Sequence, residues 1–203
     1  MFYYLSSTVS SRTNTQARST SLSVREEAAI LLDGAQPPSN WVLEHQWGLR
    51  NPRDVISVRG LGFLFRDPVL AAFREAKLTG WDSCRVQYQD GTGRMHEDYS
   101  ALRVLGRVGP WNPLLSRPGC KQYPAQTVPG VYGRFFAPET WDGSDFCVET
   151  GTHVTIISQR ARDVIAAKVR HLDMTPLDEM FEDEDELIRA GFEIRGERVV
   201  RRS

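Results

Sequence analysis

Cys147, Glu149 and His153 are the closest this sequence comes to a nucleophile with its base. A thiol attacks only when an adjacent base or a depressed pKa makes it a thiolate. The three residues flank Thr150-Gly151-Thr152, a turn signal between 145–149 and 153–157, two runs that read as a hairpin. That register sets Glu149 across from His153 and Cys147 across from Thr155, so the imidazole does not face the sulfur. A structural cysteine beside a Glu149–His153 cross-strand pair is the plainer reading; Cys147 as a catalytic thiol is the alternative. Cys84 and Cys120 have no histidine at useful spacing, and three cysteines without a Cys-x-x-Cys pair make neither a zinc ribbon nor a disulfide scaffold. His45 and His96 each adjoin a glutamate, but neither sits in a His-Glu-x-x-His pattern. Arg59-Gly60-Leu61-Gly62 lacks the third glycine of a dinucleotide loop, because position 65 is Phe, and no Walker-type loop is present. The sequence therefore assigns no catalytic residue, no metal and no cofactor.

Binding signals are stronger. Asp178, Glu179, Glu182, Asp183, Glu184, Asp185 and Glu186 crowd into residues 178–186, with Met180 and Phe181 among them and Leu187 and Ile188 next. Two readings are open: a solvated helix face with a few core anchors, or a docking patch for a basic protein partner, which would steer encounter and sharpen partner choice. Arg195, Arg198, Arg201 and Arg202 either neutralise that run from within or meet another acidic surface. Trp111, Tyr123, Tyr132, Phe135, Phe136 and Trp141 cluster in or near a proline-rich stretch. They either staple a long loop to the core or act as the aromatic anchors of an interface. Trp111 and Trp141 join the seven acids as the expected partner-binding residues.

The elements that carry these residues read as one α+β domain over 1–203, with short antiparallel strands covered by two or three helices. Leu64-Phe65-Arg66-Asp67-Pro68 and Ile156-Ile157-Ser158-Gln159 each run from an apolar strand through a polar cap into a helix. Val69, Ala72, Phe73 and Ala76 keep helical spacing, as do Ala161, Val164, Ile165 and Val169, so the two units look like a pseudo-repeat. Val69, Phe73, Ile156, Ile157, Val164 and Ile165 are the expected residues of one core. Asp67 is placed to cap the first helix and Ser158 or Gln159 the second. Residues 2–5 read as an edge strand and 6–23 as a flexible polar loop. Residues 24–32 fit a helix or a strand, and 109–130 read as a long loop with five prolines. Thr175-Pro176-Leu177-Asp178 is a further helix start, and 192–195 with 198–201 a last hairpin around Gly196-Glu197.

The chain has 203 residues, net charge -1 and 40% hydrophobic residues, which gives no global case for nucleic acid or an anionic membrane. No apolar run approaches the roughly 20 residues of a spanning helix. The unpaired cysteines suit a reducing cytoplasm, although residues 1–25, with three arginines and no acid, share the composition of an organelle transit peptide.

Over about residues 60–178 the chain resembles the bacterial immunity-type proteins of polymorphic toxin systems. The carrying segments are the Tyr-rich start, Phe63-Leu64-Phe65-Arg66-Asp67-Pro68-Val69-Leu70, Leu78-Thr79-Gly80-Trp81, the run from Tyr99 to Gly106, Trp141-Asp142-Gly143-Ser144-Asp145-Phe146 and Ile156-Ile157-Ser158-Gln159-Arg160-Ala161. Those families include a branch with a double Cys-x-x-Cys-Gly motif; this chain lacks it, and Gln159 stands where the pattern has an acid. The resemblance implies a cytoplasmic, non-enzymatic α+β protein that neutralises a cognate toxin by covering its surface. The alternatives are an accessory subunit of a larger bacterial assembly and a cysteine-dependent enzyme.

Overall fold

The computed structural model describes residues 1–6, 15–51, 53–59, 61–170 and 172–202. In chain order the elements are β1 (Phe2–Leu5), β2 (Thr15–Ser19), α1 (Val24–Leu32), β3 (Val42–Gly48), β4 (Val55–Val58), β5 (Gly62–Arg66), α2 (Asp67–Glu75), β6 (Trp81–Gln89), β7 (Met95–Val104) and β8 (Gly106–Val108). They continue with β9 (Arg117–Tyr123), β10 (Gln126–Tyr132), β11 (Phe146–Glu149), β12 (Thr155–Ser158), α3 (Gln159–Lys168), β13 (Met174–Pro176), β14 (Phe181–Asp183), α4 (Glu184–Arg189), β15 (Phe192–Arg195) and β16 (Arg198–Arg201).

Six strands close a barrel in the order β2-β3-β6-β7-β5-β4. Closure gives each of these strands a neighbour on both sides, so the barrel has no free edge strand. β6 alternates: Val86 and Tyr88 are buried, while Arg85, Gln87 and Gln89 face water. The register pairs Leu43 with Tyr88 and Val86 with Tyr99, which gathers these side chains inside the barrel. β4 and most of β5 are buried on both faces; β5 has α1 and α2 packed against it. α1 starts with a capping box between Ser23 and Glu26. α2 packs Phe73 edge-on against Phe65 and Trp81.

A second sheet, β13-β1-β12-β11-β8, leans on the barrel. Its side chains alternate between two clusters. Tyr3, Leu5, Phe146, Val148 and Ile157 join the main core, whereas Phe2, Tyr4, Cys147 and Ile156 face a second cluster with Val108, Phe136 and Leu177. Gly80 lies where barrel and sheet meet: its φ is +77°, and a Cβ there would sit 2.2 Å from the Phe146 carbonyl oxygen. A third sheet, β14-β10-β9, and the β15–β16 hairpin enclose a small cluster of Val131, Leu187 and Val199 with α4. Among the described residues no helix is long and apolar enough to cross a membrane.

The α+β expectation is overturned. Of the described residues 43% are in strands and 21% in helices, so the protein is mostly β, and its strands are buried chiefly by barrel closure and sheet packing rather than under helices. Residues 15–19, expected within a flexible loop, form barrel strand β2. Thr15, Ala17 and Ser19 point inward, and pairing with β3 and β4 supplies the order that local composition does not. Residues 7–14 of that expected loop lie outside the described residues. The expected loop at 109–130 contains the β9–β10 hairpin. Its Pro129 is tolerated because the pairing of β10 with β14 begins at Gly130, just past the missing donor.

β1 is an interior strand between β13 and β12, not an edge. The cap position of α2 is Arg66, and Asp67 is already helical, its carboxylate accepting from Arg85 at 2.8 Å. No helix starts at Thr175-Pro176; that segment pairs with β1, and α4 begins at Glu184 with Asp183 as its cap. The two strand-helix units are present, and α2 packs on α3. Val69, Phe73, Ile157 and Ile165 share the main core, with Val164 partly buried against it. Ile156, on the opposite face of its strand, belongs to the second cluster. The terminal hairpin at 192–201 forms as expected.

Candidate functional site

The 145–158 hairpin is one residue out of the expected register. Cys147 pairs with Ile156 and Val148 with Thr155, which leaves Glu149 opposite the Val154 position rather than His153. His153 is exposed. Cys147 is fully buried, its thiol sits 3.6 Å from the Ile156 carbonyl, and burial pushes its pKa up to about 12. A thiol kept protonated in an apolar setting is a poor nucleophile. Burial also pushes Cys84 up to about 11, and the exposed cysteine is Cys120.

Glu149 has a different partner, one that local spacing gave no way to find. Arg134 follows Gly133 after β10, and its guanidinium is buried between two carboxylates. Its Nε and Nη2 donate to Glu149 at 2.7 and 3.0 Å, and its Nη1 donates to Glu182 at 2.6 Å. Trp111 closes the cluster. Its ring stacks on the guanidinium with 5.0 Å from Cζ to the centroid, its backbone N–H donates to Glu149, and its indole N–H donates to Ser116. Burial works against the Arg134 charge but is outweighed by the two carboxylates, so the guanidinium is held charged. Burial raises the Glu182 carboxyl from its ordinary value, with Arg134 offsetting part of the effect. Trp111 and Glu182, both expected at a partner surface, thus serve an internal network that ties β11, β14 and the end of β10 together.

The rest of the acidic run divides by position. Asp183 accepts from the Glu186 amide as the α4 cap, and Glu186 pairs with Arg189 at 2.9 Å. Glu184 and Asp185 are exposed and have no ion-pair partner among the described residues. With Asp183 and Glu182 they line one side of a groove of about 480 Å³, whose other walls are Phe181, Tyr123, Gln126, Val128 and Pro129. Gly130 sets this geometry: a Cβ there would meet the Glu182 carbonyl oxygen at 2.2 Å, so only glycine lets β14 lie this close to β10. At the groove, Lys121 Nζ sits 5.6 Å from the Tyr123 ring centroid and 5.7 Å from that of Phe181. Lys121 thus packs a cation against two rings that also line the groove.

Asp178 and Trp141 come together elsewhere. They line an apolar hollow of about 340 Å³ with Met1, Phe2, Phe135, Phe136, Pro138 and Leu177. Glu179 is exposed and lines neither cavity. At one end of the barrel Asp90 accepts from Thr92 Oγ1, His96 Nε2 and the Thr92 and Arg94 amides. Burial opposes ionisation of Asp90, but these hydrogen bonds prevail and its pKa lies well below the ordinary carboxylate value. The Thr92 and Arg94 contacts lie in the β6–β7 turn and His96 stands on β7, so the carboxylate serves to form this hairpin. Among the described residues no cluster of three or more His, Cys, Asp or Glu is placed to hold a metal ion. Compared with known proteins, the chain matches no family model and no curated protein.

Proposed function

We propose that this chain is a non-enzymatic binding protein of immunity type, which holds a basic segment of a protein partner in the groove lined by residues 181–185. The observation that carries the reading is the groove itself: exposed Glu184 and Asp185 beside Phe181 and Tyr123, on whose rings Lys121 already rests. Unneutralised carboxylates speed association with a basic surface, and aromatic walls supply the anchor that charge alone lacks. The surface is smaller than the acidic run suggested, since Glu182 is spent on Arg134 and Asp183 on the α4 cap. Covering a toxin's active surface is the role that the likeness to immunity-type proteins adds to this binding chemistry.

The test uses the wild type and the Glu184→Gln/Asp185→Asn double variant as parallel baits in lysate of the native cell at low salt. Both substitutions are on the surface and leave the Arg134 network and the α4 cap in place. The wild type should retain one basic protein at near one-to-one ratio, and the variant should lose most of it. Equal retention by both baits would remove the groove from the binding surface. Recovery in a large multi-subunit complex would favour the accessory-subunit reading instead.

A further inference from the structure

We propose that the hollow beside β1 is a binding site for an organic ammonium group carried on a small apolar body. The cavity measures about 340 Å³, within the range of about 300–1,000 Å³ typical of small-ligand sites. Its walls are aromatic and set at steep angles. Phe2 lies 4.9 Å from Trp141 at 82° and 5.0 Å from Phe136 at 69°, so the rings form a corner rather than a stack. The frame is built by backbone bonds: Leu177 N–H donates to Phe2 C=O at 3.1 Å, and Arg134 N–H to Leu177 C=O at 2.8 Å. The Trp141 indole N–H is taken by the Ser144 carbonyl at 2.9 Å, which fixes the ring and leaves it no donor for a ligand.

Among the side chains that line this hollow, Asp178 alone carries a charge, and it has no ion-pair partner among the described residues. The chemistry selects against other ligands. An anion meets a carboxylate and the negative faces of the rings, and a neutral polar molecule finds little to bond beyond that one acid. A cation with an apolar body gains from both the aromatic walls and Asp178. The inference does not depend on the partner-binding groove, because it concerns different walls and is tested on the purified chain alone.

The probes share one body and differ in charge: benzyltrimethylammonium, benzyl alcohol and benzoate. Each is titrated into the full chain while the indole N–H resonance of Trp141 is followed, assigned by its loss in Trp141→Phe. The ammonium should shift that resonance saturably and bind about tenfold more tightly than the alcohol, a difference of about 1.4 kcal/mol. Benzoate should leave it unmoved, and Asp178→Asn, an exposed substitution, should weaken the ammonium several-fold. Equal binding of alcohol and ammonium, no saturable shift with the ammonium, or an unaltered affinity in Asp178→Asn would each overturn the assignment.

Discussion

Arg134 shows how much one side chain organises here. Replacing it with Ala leaves Glu149 and Glu182 facing each other without a cation, at a cost of about 3–5 kcal/mol. Lys in its place should recover only part of that, because a point charge cannot repeat the two-nitrogen grip on Glu149. Equilibrium unfolding in urea measures both. Asp90 gives a pH test. Its folded pKa is depressed, so its contribution is present above the ordinary carboxylate range and lost as pH falls through that range toward the folded value. Stability of the wild type should therefore fall on acidification more steeply than that of Asp90→Asn; parallel profiles would mean the turn bonds carry no ionic stabilisation. Glu182, raised by burial, runs in the opposite sense and is common to both proteins. Thiol chemistry supplies a third test: at neutral pH iodoacetamide should modify Cys120 readily, and Cys84 and Cys147 only after denaturation.

The two strand-helix units were legible because their signals are local. An apolar strand, a cap and a helical apolar stripe sit within about a dozen residues, and no distant partner is needed to read them. Ser158 does what its position suggested, accepting from the Ala161 amide, and it also donates to Asp145 at 2.6 Å. Ser158→Ala removes both bonds and should cost about 1–2 kcal/mol in thermal or urea unfolding. β2 and the β9–β10 hairpin were not legible. Thr-Gln-Ala-Arg-Ser and Arg-Pro-Gly-Cys-Lys-Gln-Tyr have the composition of loops, and only their neighbours in space make strands of them. The acidic run misled for a related reason. A cap and a buried ion partner are properties of three-dimensional neighbours, so charge density alone could not separate Glu182 from Glu184.

At the scale of the molecule, the main core joins barrel, second sheet and α3, while the third sheet, α4 and the last hairpin rest on the small cluster around Val131 and Leu187. Opening free energies follow buried apolar packing. Amides of β5 and β7 should therefore exchange most slowly and those of β15 and β16 much sooner. Uniform protection across both would show a single cooperative unit. Phe73→Ala, which empties the junction of Phe65, Trp81 and Phe146, should cost about 3–5 kcal/mol and speed exchange throughout the barrel. The sequence by itself determined the local pieces: the cap of α3, the turn at Gly196 and the apolar faces of α2 and α3. Barrel closure, the one-residue register that separates Glu149 from His153, the burial of Arg134 between two acids and the meeting of Trp141 with Asp178 were decided only in the tertiary structure. Each depends on segments far apart in the chain, and the periodicities of 2 and 3.6 residues that a sequence displays say which face is apolar, not which other face will cover it.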